Sequence, residues 1–138
     1  MPDQPAIFPF LRYDDPDAAI AFLTTAFGFE EHAVHRDDRG VIVHAELRYG
    51  GSILMFGSIR NLSEASAGRM EAGGRFGLYL AVDDPDAHYA RATGAGAVVV
   101  EPPRDQDYGS REYSARDPEG NVWSFGTYRP GSGTTETA

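Results

Sequence analysis

The chain contains no cysteine. That removes disulfides, thiolate zinc sites, iron–sulfur ligation and thiol nucleophiles together. It also contains no lysine, since all 12 basic residues are arginine. A Schiff-base lysine, a phosphate-loop lysine and a Ser-Lys pair are thereby excluded. Positive charge is scarce overall: 21 acidic residues give a formal net charge of −9. Such a chain has no general attraction for phosphate backbones or anionic lipid, so neither nucleic acid nor a membrane is an expected partner. No apolar run approaches the roughly 20 residues that span a bilayer. The start, Met1-Pro2-Asp3-Gln4-Pro5, lacks the basic flank and apolar stretch of a signal peptide, and a cytoplasmic location is the expectation.

What is present suffices for a packed domain: 138 residues, 41% hydrophobic and 12% aromatic. Its most informative feature is a duplication. Asp14-Asp15-Pro16-Asp17-Ala18 recurs as Asp83-Asp84-Pro85-Asp86-Ala87, an offset of 83 − 14 = 69. The same shift relates Leu11 to Leu80, Gly40 to Gly109, Gly51 to Gly120, Phe56 to Phe125 and Gly57 to Gly126. Matches spread over apolar runs and turns alike indicate two copies of one module.

Each copy parses alike. A short aromatic and branched run, Ile7–Tyr13 or Phe76–Val82, reads as a strand. A helix follows, with an Asp cap (Asp15, Asp84), Pro at its first position (Pro16, Pro85) and Gly just past its end (Gly28, Gly94). Ala19, Leu23, Ala26 and Phe27 form the stripe of a helix laid on a sheet. Three strands then complete each module. In the first they are Phe29–Arg36, Val41–Tyr49 and Ser52–Gly57, the last two joined by a Gly50-Gly51 hairpin. In the second they are Ala97–Glu101, Ser110–Arg116 and Asn121–Thr127, with the turn Asp117-Pro118-Glu119-Gly120. The expected architecture is a single α+β domain of two tandem βαβββ modules, residues 7–57 and 76–127. Residues 58–75 form a linker that could act as a lid, and 129–138 a flexible tail.

Arranged this way, the chain resembles the vicinal-oxygen-chelate superfamily of glyoxalase I, bleomycin-resistance proteins and extradiol dioxygenases. The resemblance runs from Ile7 to Tyr128. It rests on the opening LRYDDPDAAIAFLTTAFGFE, on His44-Ala45-Glu46-Leu47, and on Tyr108-Gly109-Ser110-Arg111-Glu112-Tyr113 with Asp117-Pro118-Glu119-Gly120-Asn121-Val122-Trp123. The closing residues are most similar to the small bleomycin-resistance-like members. The resemblance implies curved sheets around an open cavity, and a homodimer. It also implies metal ligands on the first and last strands of each module, which here fall on Phe8, Met55, Gly77 and Ser124. None of these is a competent ligand for Zn²⁺, Ni²⁺ or Fe²⁺. No metal or other cofactor is therefore expected, and glyoxalase or dioxygenase activity is put in doubt.

Strand alternation predicts the cavity lining. Phe8, Phe10 and Arg12 share a face, as do Ile53 and Met55. Across the Gly-Gly hairpin Met55 sits opposite Glu46, with His44 and Arg48 in phase. In the second copy Gly77 and Tyr79 share a face with Ser124. Across a four-residue turn Ser124 opposes Tyr113, with Arg111 in phase. Trp123 and Phe125 then face the helix. Phe8, Phe10 and Met55 could equally be plain core. His44 and Glu46 could chelate a displaced metal, act as an acid–base pair, or form a structural hydrogen bond. Arg111 could hold an anionic ligand group, or pair with Glu46 or Asp117. His32 and His35, three apart on a strand, are expected to face opposite ways. The expected function is metal-free binding of an aromatic or amphipathic, antibiotic-like small molecule by Phe8, Phe10, His44, Glu46, Met55, Tyr79, Arg111 and Tyr113. The alternative is a lyase, isomerase or dioxygenase built on His44 and Glu46.

Overall fold

A computed structural model describes residues 8–61 and 77–130 of the chain. It divides into two compact units that part between Phe76 and Gly77. The first unit holds β1 (Phe10–Tyr13), α1 (Pro16–Phe22), β2 (Glu30–Arg36), β3 (Ile42–Tyr49) and β4 (Ser52–Ser58). The second holds β5 (Leu78–Ala81), α2 (Pro85–Gly94), β6 (Val98–Asp105), β7 (Arg111–Arg116) and β8 (Val122–Gly126). Strand order is β1-β4-β3-β2 in one sheet and β5-β8-β7-β6 in the other. In each, the first strand pairs in parallel with the last and the other pairs are antiparallel. These are two βαβββ modules.

The caps form as the residues dictate. Asp15 accepts from the Ala18 amide and Asp84 from the Ala87 amide, each with Pro opening the helix. The helix ends differ between the copies. After α1 the chain runs into a π-helical turn, Leu23–Phe27, and Gly28 closes it at φ 90°. In the second copy Gly94 is the last helical residue, and Gly96 takes the left-handed conformation at φ 97°. The π turn widens the first copy by one residue, so the equivalent glycines lie 96 − 28 = 68 apart instead of 69.

Each sheet buries one face. Tyr13, Ala45, Leu47, Leu54 and Phe56 are buried in the first module together with Ala19, Leu23 and Phe27 of its helical segment. Tyr113, Ala115, Trp123 and Phe125 are their counterparts in the second, with Ala92 of α2. Tyr13 meets Phe56 edge-on at 5.1 Å, and Tyr113 stacks on Phe125 at 4.7 Å. Residues of opposite phase therefore make an open face on each sheet, away from the helix.

The linker expected from Ser58 onward begins later. Ser58 is the buried last residue of β4, paired with Tyr13, and a 3₁₀ turn covers Ile59–Asn61. The rest of that stretch, with the proposed lid, lies outside the described residues, as does the tail from 131.

Candidate functional site

On the first module, parallel pairing sets Phe10 beside Met55 and antiparallel pairing sets Met55 beside Glu46. The Gly50-Gly51 hairpin fixes that register, because two loop residues leave Tyr49 opposite Ser52. Phe10 is 48% exposed and Phe8 is exposed too, so neither is core. The Arg12 guanidinium lies 4.7 Å from the Phe10 ring centroid and donates from Nη1 to the Ser58 carbonyl at 3.2 Å. Its Nε is buried without a hydrogen-bond partner among the described residues. Gly57 makes room for it, since a Cβ there would lie 2.9 Å from Arg12 Nη1.

Further along the same face is a polar cluster. His44 Nε2 donates to Glu46 Oε2 at 2.9 Å, which holds the Glu46 carboxyl below its usual pKa. His32 Nε2 approaches Glu46 Oε1 at 3.9 Å, and Arg48 Nη2 donates to His32 Nδ1 at 2.8 Å. His35 stacks on His44 at 6.1 Å. His32 and His35 thus gather on one face, where simple alternation set them apart. The cause is an irregularity in β2: Glu31 opposes Leu47 but Ala33 opposes Glu46, so His32 is an extra, bulged residue.

On the second module the pairing differs from expectation by one residue. Ser124 opposes Ser114, and Tyr113 opposes Phe125. The turn has five residues, not four, because Asn121 belongs to it: the Asp117 amide donates to the Asn121 carbonyl and Asp117 Oδ1 accepts from the Asn121 amide, both at 3.0 Å. One residue of slip turns every side chain of β7 over. Tyr113 is therefore buried on the helix side, hydrogen-bonded to His88 Nδ1 at 2.6 Å. Arg111 also turns to α2, donating to Asp86 at 2.8 and 3.1 Å and to Asp105 at 3.2 Å. Neither Glu46 nor Asp117 is among its recorded ion-pair partners. Arg111 and Tyr113 leave the candidate lining.

Glu112 takes their place. It lines an open recess of about 580 Å³ with Gly77, Leu78, Tyr79, Tyr108, Ser124, Tyr128 and Pro130. Gly77, Tyr79 and Ser124 meet there as alternation requires. Tyr79 donates its hydroxyl to the Tyr128 carbonyl at 2.6 Å, and burial raises its pKa. Tyr108 donates to Glu112 Oε1 at 2.9 Å, and the bond to that carboxylate raises its phenol pKa. Tyr108 and Tyr128 lie outside the strands, where alternation carries no signal.

The metal positions implied by the resemblance do not suit an ion. Phe8 and Gly77 have no donor side chain, Met55 offers a soft thioether, and Ser124 a hydroxyl. Nor is any group of three or more His, Asp or Glu among the described residues disposed to hold a metal.

Comparison with known proteins agrees with this layout. The family model for the glyoxalase/bleomycin resistance protein/dioxygenase superfamily matches residues 6–125. An uncharacterised Mycobacterium tuberculosis protein is 34% identical over 128 residues, covering 89% of this chain and 74% of its own. Among solved structures, TioX from Micromonospora sp. ML1 is 35% identical with a TM-score of 0.73, covering 91% of this chain and 99% of its own. A glyoxalase/bleomycin resistance protein/dioxygenase family enzyme from Burkholderia phytofirmans PsJN is 25% identical with a TM-score of 0.67, covering 87% and 94% respectively.

Proposed function

The chain belongs to the glyoxalase/bleomycin resistance protein/dioxygenase superfamily, and from that premise we propose that it binds an aromatic or amphipathic small molecule without a metal and without turning it over. One observation carries the reading: the positions that would chelate an ion hold Phe8, Met55, Gly77 and Ser124. Exposed Phe8, Phe10 and Tyr79 offer rings for stacking on the open faces. His44 and Glu46 orient polar groups of the ligand beside Met55. A few fixed polar groups among apolar and aromatic ones is the usual make-up of a small-molecule site. Acid–base chemistry by His44 and Glu46 is the weaker reading. The bond joining them lowers the Glu46 pKa and so makes it a poorer base. The partners of this reading are the ligand and a second copy of the chain, in the cytoplasm.

The test is calorimetric titration against peptide, glycopeptide and polyketide antibiotics, with and without chelator. Saturable binding indifferent to chelator is expected, weakened about tenfold by Phe10→Ala, in keeping with the apolar area of one lost ring. No saturable binding across the panel, or binding that requires a divalent ion, overturns the reading. Elemental analysis of protein purified without chelator should give background metal; stoichiometric metal lost in His44→Ala would favour the enzyme.

A further inference from the structure

We infer that the recess on the open face of β5, β8 and β7 is a seat for an organic cation, a quaternary ammonium group, held by Tyr79, Tyr108, Tyr128 and the Glu112 carboxylate. The inference rests on the small-molecule reading above and names the charge of the group bound here.

Three of the eight lining residues are tyrosines, and Glu112 is the one formal charge among them. No basic side chain pairs with it in any recorded ion pair of the described residues. Arg104, its register partner on β6, is drawn to Glu101 at 3.8 Å. Glu112 is nevertheless held in place, since Tyr108 donates to its Oε1, leaving Oε2 for a ligand. Tyr79 is likewise fixed at its tip by the Tyr128 carbonyl. Ring faces carry negative quadrupole potential, so rings around a carboxylate favour a diffuse cation that cannot itself donate hydrogen bonds.

Gly126 of β8 leaves room for this pair to pack beside the recess. A Cβ on Gly126 would lie 2.5 Å from Glu112 Cγ and 2.7 Å from the Tyr79 hydroxyl. Only a residue without a side chain lets the carboxylate stem and the phenol close over β8 together. The duplication makes the carboxylate a choice. Counting from the observed pairings, Ser114 replaces Glu46 (114 − 46 = 68), and at that offset Glu112 stands where the first module has His44. A fold requirement would have kept the two alike.

The experiment uses the full chain, isotope-labelled, titrated in NMR with choline and with dimethylbutanol, its uncharged carbon isostere. Choline should shift the amides of Gly77–Tyr79, Glu112 and Ser124–Tyr128 saturably, and the isostere should bind about tenfold more weakly. Glu112→Gln should abolish most of that preference. Tyr128→Ala, which keeps the carbonyl that anchors Tyr79, should weaken choline several-fold while leaving the spectrum folded. Equal response to both probes, no saturable shift with choline, or an unchanged preference in Glu112→Gln overturns the inference. The antibiotic panel separates this from the parent reading. Panel binding without charge preference sinks the cation seat alone; choline binding with no panel binding sinks the aromatic receptor alone.

Discussion

Asp117 determines which face of β7 looks outward, and removing its carboxylate should be the costliest polar truncation in the second module. The residue is 3% exposed, and its Oδ1 accepts from the amides of Glu119 and Asn121, each at 3.0 Å. Oδ2 accepts from Asn121 Nδ2 at 3.0 Å and from the buried Trp123 Nε1 at 3.1 Å. In Asp117→Ala the two turn amides regain water at modest cost, but the indole N–H is left desolvated. A buried donor stripped of its charged acceptor costs about 1–3 kcal/mol, and the two amides somewhat less each, so the total is about 3 kcal/mol. For a chain of this length that lowers Tm by about 10 °C. Trp123 is the sole tryptophan, so its fluorescence reports the same site. Urea and thermal unfolding followed by indole emission should show the loss, with a shifted native emission maximum. Asp117→Asn, which keeps one acceptor for the amides, should fall between wild type and alanine. A loss below about 1 kcal/mol in Asp117→Ala, or an unaltered native spectrum, would refute the claim that this carboxylate organises the turn.

That turn also marks where the sequence stops being readable by alternation. Gly50-Gly51 is a two-residue hairpin whose register follows from its length, and Glu46, Met55 and Phe10 fall where the pattern puts them. The module boundaries are equally open to inspection, because Asp15 and Asp84 cap helices in the way their spacing before Pro16 and Pro85 implies. What eludes a period-two reading is the single inserted residue. Asn121 in the turn, His32 in β2 and the π turn at Leu23–Phe27 each add one position without changing composition. Each reverses a face or shifts the repeat from 69 to 68. One signal was available. Asp37 accepts from the Arg39 and Val41 amides just as Asp117 accepts from those of Glu119 and Asn121, so Asp-x-x-Gly closes a five-residue turn at both places. Reading Asp117–Gly120 by analogy with Asp37–Gly40 would have turned Tyr113 inward and Glu112 outward. Arg111 shows a different limit. Its partners Asp86 and Asp105 lie on α2 and β6, and no local pattern joins them.

Asp84→Ala should cost about 1 kcal/mol of stability through the lost bond to the Ala87 amide, measured by urea unfolding, and Asp15→Ala a similar amount. Tyr113→Phe should cost about 1 kcal/mol, since His88 Nδ1 loses the hydroxyl bonded to it at 2.6 Å, yet leave ligand affinity unchanged. A large affinity loss with stability intact would return Tyr113 to the binding face. The acid limb of stability should trace to a pair of aspartates that repeat between the modules. Asp17 and Asp86 each sit in the first turn of a helix, and each is bound by an arginine of its own sheet, Arg36 of β2 and Arg111 of β7. Hydrogen bonds from those guanidinium groups lower both carboxyl pKa values. A carboxyl depressed in the folded state adds stability above its unfolded pKa of about 3.9 and loses it as pH falls through the lower folded value. Asp17→Asn and Asp86→Asn should therefore lower Tm at neutral pH and converge with wild type once the pH has fallen through the lowered folded values, the gap shrinking in high salt because both pairs are exposed. Each pair joins a helix start to a strand, so the double variant should show both losses added, the sites being in separate modules. A Tm gap that stays constant from neutral to acid pH would mean that the asparagines disturb packing, and that the ion pairs do not hold the helices to their sheets.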